Sequence, residues 1–346
     1  MEHALDLGVR MRSELREAPD ALRRQAGSLS APIADLAALL TRQPPHVVVT
    51  CARGSSAHAA TFAKHLIERH LGIPVAAAAP NIVTLYGQRL QLRDQLFLAI
   101  SQSGSSDDVV ECAVMAKAAG ARTVAIVNDT GSALAAACQF VLPMAAGPEL
   151  SVAATKTFVA TLGVLLHLVA SWGRDAAVAR AIDLLPDRLA SATEADWSQA
   201  LKPLAASQSL VTIGRGPTLA IAREAALKLK ETCNLHAEAF SGAEFLHGPI
   251  SLVSTRYPIL FFMPTDAAAA GLHALATDLR YKGASVFVAE PGEAVAGRLP
   301  ALAPSHPDAD AVCLIQSLYA LAIELAESRG TDVDRPRHLQ KITRTR

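Results

Sequence analysis

The stretch LFLAISQSGSSDD, residues 96–108, decides the fold. It opens with a continuous apolar run, which is typical of a strand buried on both faces of a parallel sheet. Four serines and a glycine follow within six residues, and an alanine-rich segment comes next. In a parallel α/β sheet, ligands bind where the strands end and the helices begin. The stretch therefore predicts a parallel sheet with a binding loop at the carboxyl end of one strand.

The same pattern recurs later in the chain. Aligning Thr50 with Thr212, an offset of 162 residues, brings VVVTCARGSSAHAATFAKHL into register with SLVTIGRGPTLAIAREAALK. This offset carries two more apolar runs onto counterparts: residues 96–103 (LFLAISQS) onto 258–265 (PILFFMPT), and 123–128 (TVAIVN) onto 285–290 (SVFVAE). We predict an α/β protein of two tandem doubly wound parallel-sheet domains, each with flavodoxin-like αβα layers. The alternative is that any two α/β halves share this rhythm.

The positions of these runs set the predicted domains. We expect a helical arm at 1–40, a first sheet domain carrying the serine loop at 41–186, and a second sheet domain at 187–330. A C-terminal tail at 331–346 is predicted to close the active site. The polar stretch DRLASATEADWSQ, within the first residues of the second domain, is the predicted boundary between the two halves.

Composition excludes several classes of function. The 346 residues include 32 basic and 32 acidic side chains, which gives no electrostatic footprint for nucleic acid. The apolar segment 158–172 is too short to span a bilayer and predicts a buried helix, and the N-terminus lacks an apolar signal core. Five scattered cysteines form no CxxC pair, so we expect no metal site and a reducing, cytoplasmic location.

The serine loop has the chemistry of a phosphate site. A helix N-terminus offers free N–H groups and a positive dipole end, and glycine lets the backbone approach a ligand. The alternative is a purely structural role in which the serines cap a helix, but one serine would suffice for that. Asp107 and Asp108 are expected to face solvent. No GxGxxG or GxxxxGK[ST] motif is present at the loop, so neither a dinucleotide nor a P-loop nucleotide site is favoured.

The second half carries different chemistry. Its counterpart of the serine loop reads FMPTDAA, so we predict that the phosphate cradle is lost there. The segment 227–247 is instead dense in titratable side chains, and Lys228 and Glu231 share a helix face at a spacing of three. The simpler interpretation of any one of these titratable residues is that it forms an ion pair along a helix. Metal binding is disfavoured, because no HExxH spacing occurs.

Several motifs together resemble a known family. RGSSAHA, ISQSGSS, GPELSVAATKTF, ALKLKETCNLHAEAF, GAEFLHGP and GTDVDRPRHLQK are similar to the isomerase half of glucosamine-fructose-6-phosphate aminotransferase, which is built from two sugar isomerase (SIS) domains. The resemblance runs from about residue 45 to the C-terminus. It implies SIS domains that act on hexose 6-phosphates without a cofactor.

The resemblance assigns roles to single residues. Glu231 matches the base that moves a proton between C1 and C2, and Lys228 matches a lysine close to that base. His247 matches the histidine that opens the sugar ring, supplied in that family by the neighbouring subunit. Lys341 matches the lysine that forms an imine with the ketose carbonyl. The implied substrate-binding and phosphate-binding positions are Ser55, Ser56, Ser101, Gln102, Ser103, Gly104, Ser106, Val152, Ala154 and Gln340.

Departures from the family pattern shape the functional hypothesis. The chain begins MEHALDLG, so we expect no glutaminase domain. Ala154 stands where the family usually has a serine, and Ser55 where it usually has a threonine. We therefore predict a glucosamine-6-phosphate deaminase, which converts glucosamine 6-phosphate and water to fructose 6-phosphate and ammonia.

Three other functions stay open. One is a phosphosugar isomerase or a glutamine-independent synthase of glucosamine 6-phosphate. Another is a non-catalytic sugar-phosphate-binding regulator, although such proteins usually carry a DNA-binding helix-turn-helix, for which the arm is too short. The last is a purely structural oligomer. The apolar composition predicts a homodimer, with shared active sites if His247 serves the neighbour; neither nucleic acid nor membrane is an expected partner.

Overall fold

The computed structural model describes residues 8–293 and 295–341. They form two compact units. The first-sheet unit comprises residues 20–149 and 156–183, and the second-sheet unit comprises residues 8–19, Leu150–Thr155 and Leu184–Lys341. Each unit contains one five-stranded sheet in which every strand pair is parallel.

Helices and strands alternate along most of the chain. The helices are α1 (Val9–Arg42), α2 (Gly54–Leu71), α3 (Pro80–Thr84), α4 (Asp107–Ala118), α5 (Ala133–Ala137), α6 (Lys156–Gly173), α7 (Ala176–Thr193), α8 (Leu201–Ala205), α9 (Thr218–Cys233), α10 (Gly242–Leu246), α11 (Ala269–Tyr281) and α12 (Pro307–Ser328). The strands are β1 (Val48–Ala52), β2 (Val75–Ala77), β3 (Leu96–Ser101), β4 (Arg122–Val127), β5 (Phe140–Pro143), β6 (Ser209–Gly214), β7 (His236–Ser241), β8 (Pro258–Phe262), β9 (Ser285–Pro291) and β10 (Arg298–Ala301). Short 3₁₀ helices occur at Ser198–Ala200 and Pro249–Leu252.

The two sheets have the same strand order. The first is β2-β1-β3-β4-β5, and the second, read from its other edge, is β7-β6-β8-β9-β10. At the predicted offset of 162 residues, β3 falls on β8 and α4 falls on α11. The predicted α/β fold of two doubly wound parallel sheets is confirmed. That the two halves are a tandem repeat stays a prediction.

Burial explains why the central strands are continuous apolar runs. All six residues of β3 and all five of β8 are buried, as expected for strands covered on both faces. In the first-sheet unit, β3 packs through Phe97 and Ala99 against Val109 and Ala113 of α4. In the second, β8 packs through Phe261 against Leu272 of α11. The sheets place the ends of their strands, and hence the following loops, on a rigid base.

Two helices are long and apolar enough to cross a membrane by length and composition alone. They are α6 and α12, and 83% and 89% of their apolar windows are buried inside the protein. Burial of that extent is typical of the core helices of a globular protein. The helix predicted over residues 158–172 is confirmed as part of α6.

The compact units differ from the predicted domains in two ways. Leu150–Thr155 lies in the predicted first domain but groups with the second-sheet unit, as do residues 8–19 of the predicted arm. The predicted linker at 187–199 is largely helical, because α7 runs on to Thr193 and the unit boundary lies within it. Its Arg, Leu and Ala are strong helix formers, which outweigh its polar character. Residues 342–346 of the predicted tail lie outside the described residues.

Candidate active site

Hydrogen bonds to neighbouring segments fix the shape of the serine loop. The buried Ser101 ends β3, and its Oγ accepts the Gly104 N–H at 3.1 Å. The carbonyl of Gln102 accepts the N–H of Asn128 at 3.1 Å, and the carbonyl of Gly104 accepts the N–H of Leu134 at 3.0 Å. The loop is thus held from within and by the segments after β4, so its backbone is arranged before any ligand arrives.

Only glycine fits at position 104. Its φ of +62° is in the left-handed region, and a Cβ built there would lie 2.0 Å from Oγ of Ser132. Ser132 is fixed in turn, because its side chain caps α5 by accepting the N–H of Ala135. The close approach of Ser132 explains why residue 104 is glycine, a reason that the sequence alone did not show.

The loop leads directly into α4, with Ser106 at the N-cap position. Within the described residues, the Ser106 side chain accepts no capping hydrogen bond from the helix. The interpretation of the serines as simple helix caps therefore does not hold for this residue. Its hydroxyl and that of Ser103 are half-buried, and hydroxyls near a helix N-terminus suit an anion.

One expectation about this helix was wrong. Asp107 is exposed as predicted, but Asp108 is buried. The carboxylate of Asp108 accepts hydrogen bonds from Arg53, at 2.8 Å from Nε and 2.6 Å from Nη2. Consecutive helix residues point about 100° apart, and on α4 this rotation turns Asp108 inward while Asp107 stays exposed. Arg53 was absent from the predicted site, although a charged residue in an apolar strand-to-helix turn was a usable signal.

The two other hydroxyl residues of this half follow Arg53 directly. Ser55 and Ser56 lie in the first turn of α2 and are half-buried. Because β1 and β3 are neighbours in the sheet, the turns after them emerge at the same edge. The Arg53–Asp108 pair links these two turns. The first-sheet unit therefore gathers hydroxyls, helix N-termini and one guanidinium at a single edge.

The second-sheet unit contains a buried charge cluster on α9. Side-chain exposure is 1% for Lys228, 0% for Glu224 and 21% for Glu231. Lys228 Nζ lies 3.4 Å from Oε1 of Glu224 and donates a short hydrogen bond to Glu231. Tyr319 Oη donates to Glu224 at 3.4 Å. Lys228 and Glu231 are thus brought together as predicted. Of the two carboxylates beside Lys228, solvent reaches Glu231 and not Glu224.

A cavity of about 260 Å³ opens beside Glu231. The C-terminal segment supplies much of its wall through Thr331, Asp332, Arg335 and Arg337. Neither arginine forms an ion pair with any described residue. The carboxylate therefore faces an open space lined by two arginines as well as by Asp332, within reach of a small polar molecule.

His247 stands apart from this cluster. It follows α10, its side chain is exposed, and Gly248 after it has a φ of +121°. The His247 side chain makes no hydrogen bond or ion pair with any residue that the structure describes. His247 is also not among the residues that line the cavity beside Glu231.

The tail places Lys341 against a distant segment of the same unit. Its Nζ donates to the carbonyl oxygen of Ser151 at 2.6 Å. Val152 and Ala154, both half-buried, lie in this same segment, whereas Gln340 is exposed. Four predicted positions therefore belong to the second-sheet unit: Val152, Ala154, Gln340 and Lys341.

Comparison with known families supplies the identity of this fold. The family model described as SIS domain matches residues 41–171 and 204–289. The chain belongs to the SIS domain family. Each matched segment contains one of the two sheets, apart from the last two residues of β9 and the edge strand β10.

Relatives of this SIS chain include isomerising enzymes. It is 35% identical over 313 residues to glutamine–fructose-6-phosphate aminotransferase of Symbiobacterium thermophilum, covering 85% of the chain and 51% of that protein. The chain thus spans about half the length of the curated relatives it matches. The predicted resemblance is confirmed, and so is the prediction that the chain is an enzyme of the SIS phosphosugar-isomerase class.

Two solved structures are similar over nearly their whole length. A candidate phosphosugar isomerase from Silicibacter pomeroyi DSS-3 has 43% identity and a TM-score of 0.89, covering 94% of this chain and 99% of that one. The C-terminal domain of glucosamine-fructose-6-phosphate aminotransferase from Francisella tularensis has 24% identity and a TM-score of 0.83, covering 97% and 100%. The second of these shows likeness of fold alone.

The second SIS sheet has no open counterpart of the serine loop. After β8, the Thr265 hydroxyl donates to Asp310 at 2.7 Å. The same carboxylate accepts from Arg188 at 2.7 Å and from the Ser305 N–H at 3.1 Å. An internal carboxylate is thus bound where a ligand anion would be expected. The predicted loss of the phosphate cradle in this half has a structural basis.

Proposed function

We propose that the chain acts on hexose 6-phosphates and releases ammonia from glucosamine 6-phosphate to give fructose 6-phosphate. The observation that carries this proposal is the buried Lys228 held between two carboxylates, of which only Glu231 reaches solvent. Such an arrangement fits a base that must be oriented by an internal cation while one oxygen stays open to substrate. The relatives' names supply the substrate class.

The phosphate is assigned to the serine loop. Backbone N–H groups of α4, the hydroxyls of Ser103 and Ser106, and the Arg53 guanidinium can all donate to a phosphate oxygen. Each hydrogen bond to a charged group contributes about 1.5–3 kcal/mol net. Because this energy comes from a part of the substrate that does not react, it orients the carbons that do. Ser55 and Ser56 then face the sugar.

The chemistry proceeds through proton transfer between two carbons. After ring opening, Glu231 removes the C2 proton and returns it to C1, and one amine proton passes to the C1 oxygen, so the C1 aldehyde becomes CH2OH and the C2 amine becomes an imine. The Lys341 amine displaces ammonia from that imine, and water then hydrolyses the lysine imine to the ketone. The balance is glucosamine 6-phosphate and water to fructose 6-phosphate and ammonia. Lys228 keeps the Glu231 carboxylate oriented throughout.

His247 is assigned to ring opening in the partner subunit's site. Its exposed side chain and lack of hydrogen bonds or ion pairs to described residues support a role outside its own chain. We therefore propose a homodimer with shared active sites. All five cysteines are buried and free, which supports a reducing, cytoplasmic location.

A second candidate is a phosphosugar isomerase that leaves nitrogen untouched. It is favoured by the 43% identity to the Silicibacter pomeroyi protein over 94% of the chain. The same base and ring opener would then interconvert an aldose and a ketose phosphate. The synthase direction, fed by free ammonia, is the reverse of the first proposal and uses the same residues.

One assay separates these candidates. Purified protein is incubated with glucosamine 6-phosphate, and ammonia and fructose 6-phosphate are measured together. We expect equimolar release, its loss in Glu231→Gln, and its retention in Glu238→Gln, a matched control on β7 whose side chain is exposed. Conversion of an aldose 6-phosphate to a ketose without ammonia release selects the isomerase. Binding of sugar phosphates with no turnover of any of them selects the regulator.

A further inference from the structure

The N-terminal arm contacts the segment that receives Lys341. Glu14 lies on α1 and is 4% exposed. One of its carboxylate oxygens accepts a short hydrogen bond from the N–H of Leu150, and both lie 3.3 Å from the N–H of Ser151. A buried carboxylate that accepts backbone N–H groups fixes the local chain, since leaving it unsatisfied is costly.

The tail is tied to the same place by Asp334. Its carboxylate accepts the N–H groups of Arg10 at 3.0 Å and Met11 at 2.9 Å, at the start of α1. It also accepts the Ser151 hydroxyl at 3.2 Å. Ser151 is completely buried. Three chain segments, all in the second-sheet unit, thus meet at one residue.

The Ser151 carbonyl accepts a hydrogen bond from the Lys341 amine. Its N–H and its hydroxyl are held by Glu14 and by Asp334, so these two carboxylates restrain the residue that carries the carbonyl. We propose that Glu14 and Asp334 are positioning residues, which place the Lys341 amine through Ser151. This inference rests on the proposed function for the role of Lys341, but the contact itself is open to a separate test.

The proposal explains why a lysine near the chain end can have one defined position. Six residues separate Asp334 from Lys341, and Leu339 and Gln340 among them are exposed. Without a fixed acceptor, the amine of such a segment would sample many positions. Because misplacement of a reacting group by about 1 Å can cost roughly 100-fold in rate, the anchor matters more for turnover than for stability.

The test compares Glu14→Gln and Asp334→Asn with Glu17→Gln in the full-length protein. Glu17 is exposed on the same helix and accepts from Ser13, so it controls for loss of a carboxylate from α1. Two readouts are taken: the acetylation rate of Lys341 relative to the exposed Lys230, mapped by peptide mass spectrometry, and kcat with KM for ammonia release. The melting temperature shows whether each variant folds.

We expect Lys341 acetylation to rise roughly tenfold in Glu14→Gln and Asp334→Asn, because the amine loses a hydrogen-bonded acceptor. We expect kcat to fall by about 10- to 100-fold with KM nearly unchanged, and Glu17→Gln to match the wild type. Wild-type acetylation and kcat in both folded variants would overturn the proposal. If neither variant folds, Ser151→Ala, which removes only the hydroxyl bond to Asp334, decides by the same two readouts.

The two proposals fail in different ways. An inactive wild type whose Lys341 is protected, and exposed in Glu14→Gln, contradicts the proposed function and leaves the positioning contact standing. An active wild type with unchanged kcat and labelling in the variants contradicts the positioning role alone.

Discussion

The Arg53 guanidinium lies 2.6 Å from the buried carboxylate of Asp108, and this ion pair joins the turn after β1 to the first turn of α4. The pair holds one cation beside the serine loop. In the proposed function, the Arg53 guanidinium is one of the groups that bind the substrate phosphate.

Replacing Asp108 by Asn removes the counter-charge that orients Arg53. We expect KM for a sugar 6-phosphate to rise roughly tenfold and kcat to fall as well, because the phosphate contacts also orient the reacting carbons. Steady-state kinetics checks this, with Asp107→Asn as the exposed neighbouring control. An unchanged KM in Asp108→Asn would remove Arg53 from the phosphate site.

Gly104→Ala tests the close approach to Ser132. Any L residue there adopts a strained φ, at a cost of about 1–2 kcal/mol, and the new Cβ also collides with the Ser132 side chain. Gly87→Ala is a matched control, because its φ of +63° is similar but no atom lies within 4 Å of the new Cβ. Chemical denaturation should show a larger loss of stability for Gly104→Ala than for Gly87→Ala. Equal losses would mean that the collision is relieved at no cost.

Lys228→Met leaves the fully buried carboxylate of Glu224 without its cation. Removing one partner of a buried ion pair costs about 3–5 kcal/mol, so we expect a loss of unfolding free energy of that order. Glu224→Gln in the same protein should restore part of it, which a double-mutant cycle measures. If the double variant is no more stable than Lys228→Met alone, the buried pair is not the source of the loss.

Because His167 is buried, we expect the free energy of unfolding to fall in mild acid. Burial in α6 lowers its pKa from 6.5, against the opposing charge of Asp183. The unfolded chain therefore binds a proton at about pH 6.5 while the folded chain does not, and the unfolding free energy falls as the pH drops below that value. The slope from this group is at most about 1.4 kcal/mol per pH unit. Denaturation between pH 7 and 5 should show a shallower slope in His167→Leu; an identical slope would assign the acid sensitivity to other groups.

Shared active sites predict rescue between two inactive variants. His247→Ala and Glu231→Gln subunits, each inactive alone, should regain about one quarter of wild-type activity when mixed equally, because half the dimers then contain one intact site. Ammonia release measures the rescue, and native mass spectrometry confirms that subunits exchange. Exchange without rescue would place His247 and Glu231 of the same chain in one site.

The sequence predicted the central strands but missed the edges. β1, β3 and β4, with β6, β8 and β9, are apolar runs, and five of these six strands are buried almost throughout. The edge strands β2 and β7 contain exposed residues. In β7, the exposed His236 and Glu238 are separated by the buried Ala237. A strand paired on one side only does not need a continuous apolar run. The pattern used to find strands therefore failed at the edges.

The candidate site was predictable where it is local and unpredictable where it depends on distant segments. The spacing of Lys228 and Glu231 on one helix, and the serines after β3, follow from the sequence. The inward turn of Asp108 depends on Arg53, which lies 55 positions earlier. The contact of Lys341 with Ser151 spans 190 positions, and no local pattern specifies it.

The grouping of Leu150–Thr155 and residues 8–19 with Leu184–Lys341 bears on how such a gene can be divided. A cut between the sheets, at residue 183, would yield a downstream polypeptide deprived of two of the three pieces that complete its own globule. A recombination event that replaces the first sheet must therefore retain residues 8–19 and Leu150–Thr155, or be followed by substitutions that replace their contacts.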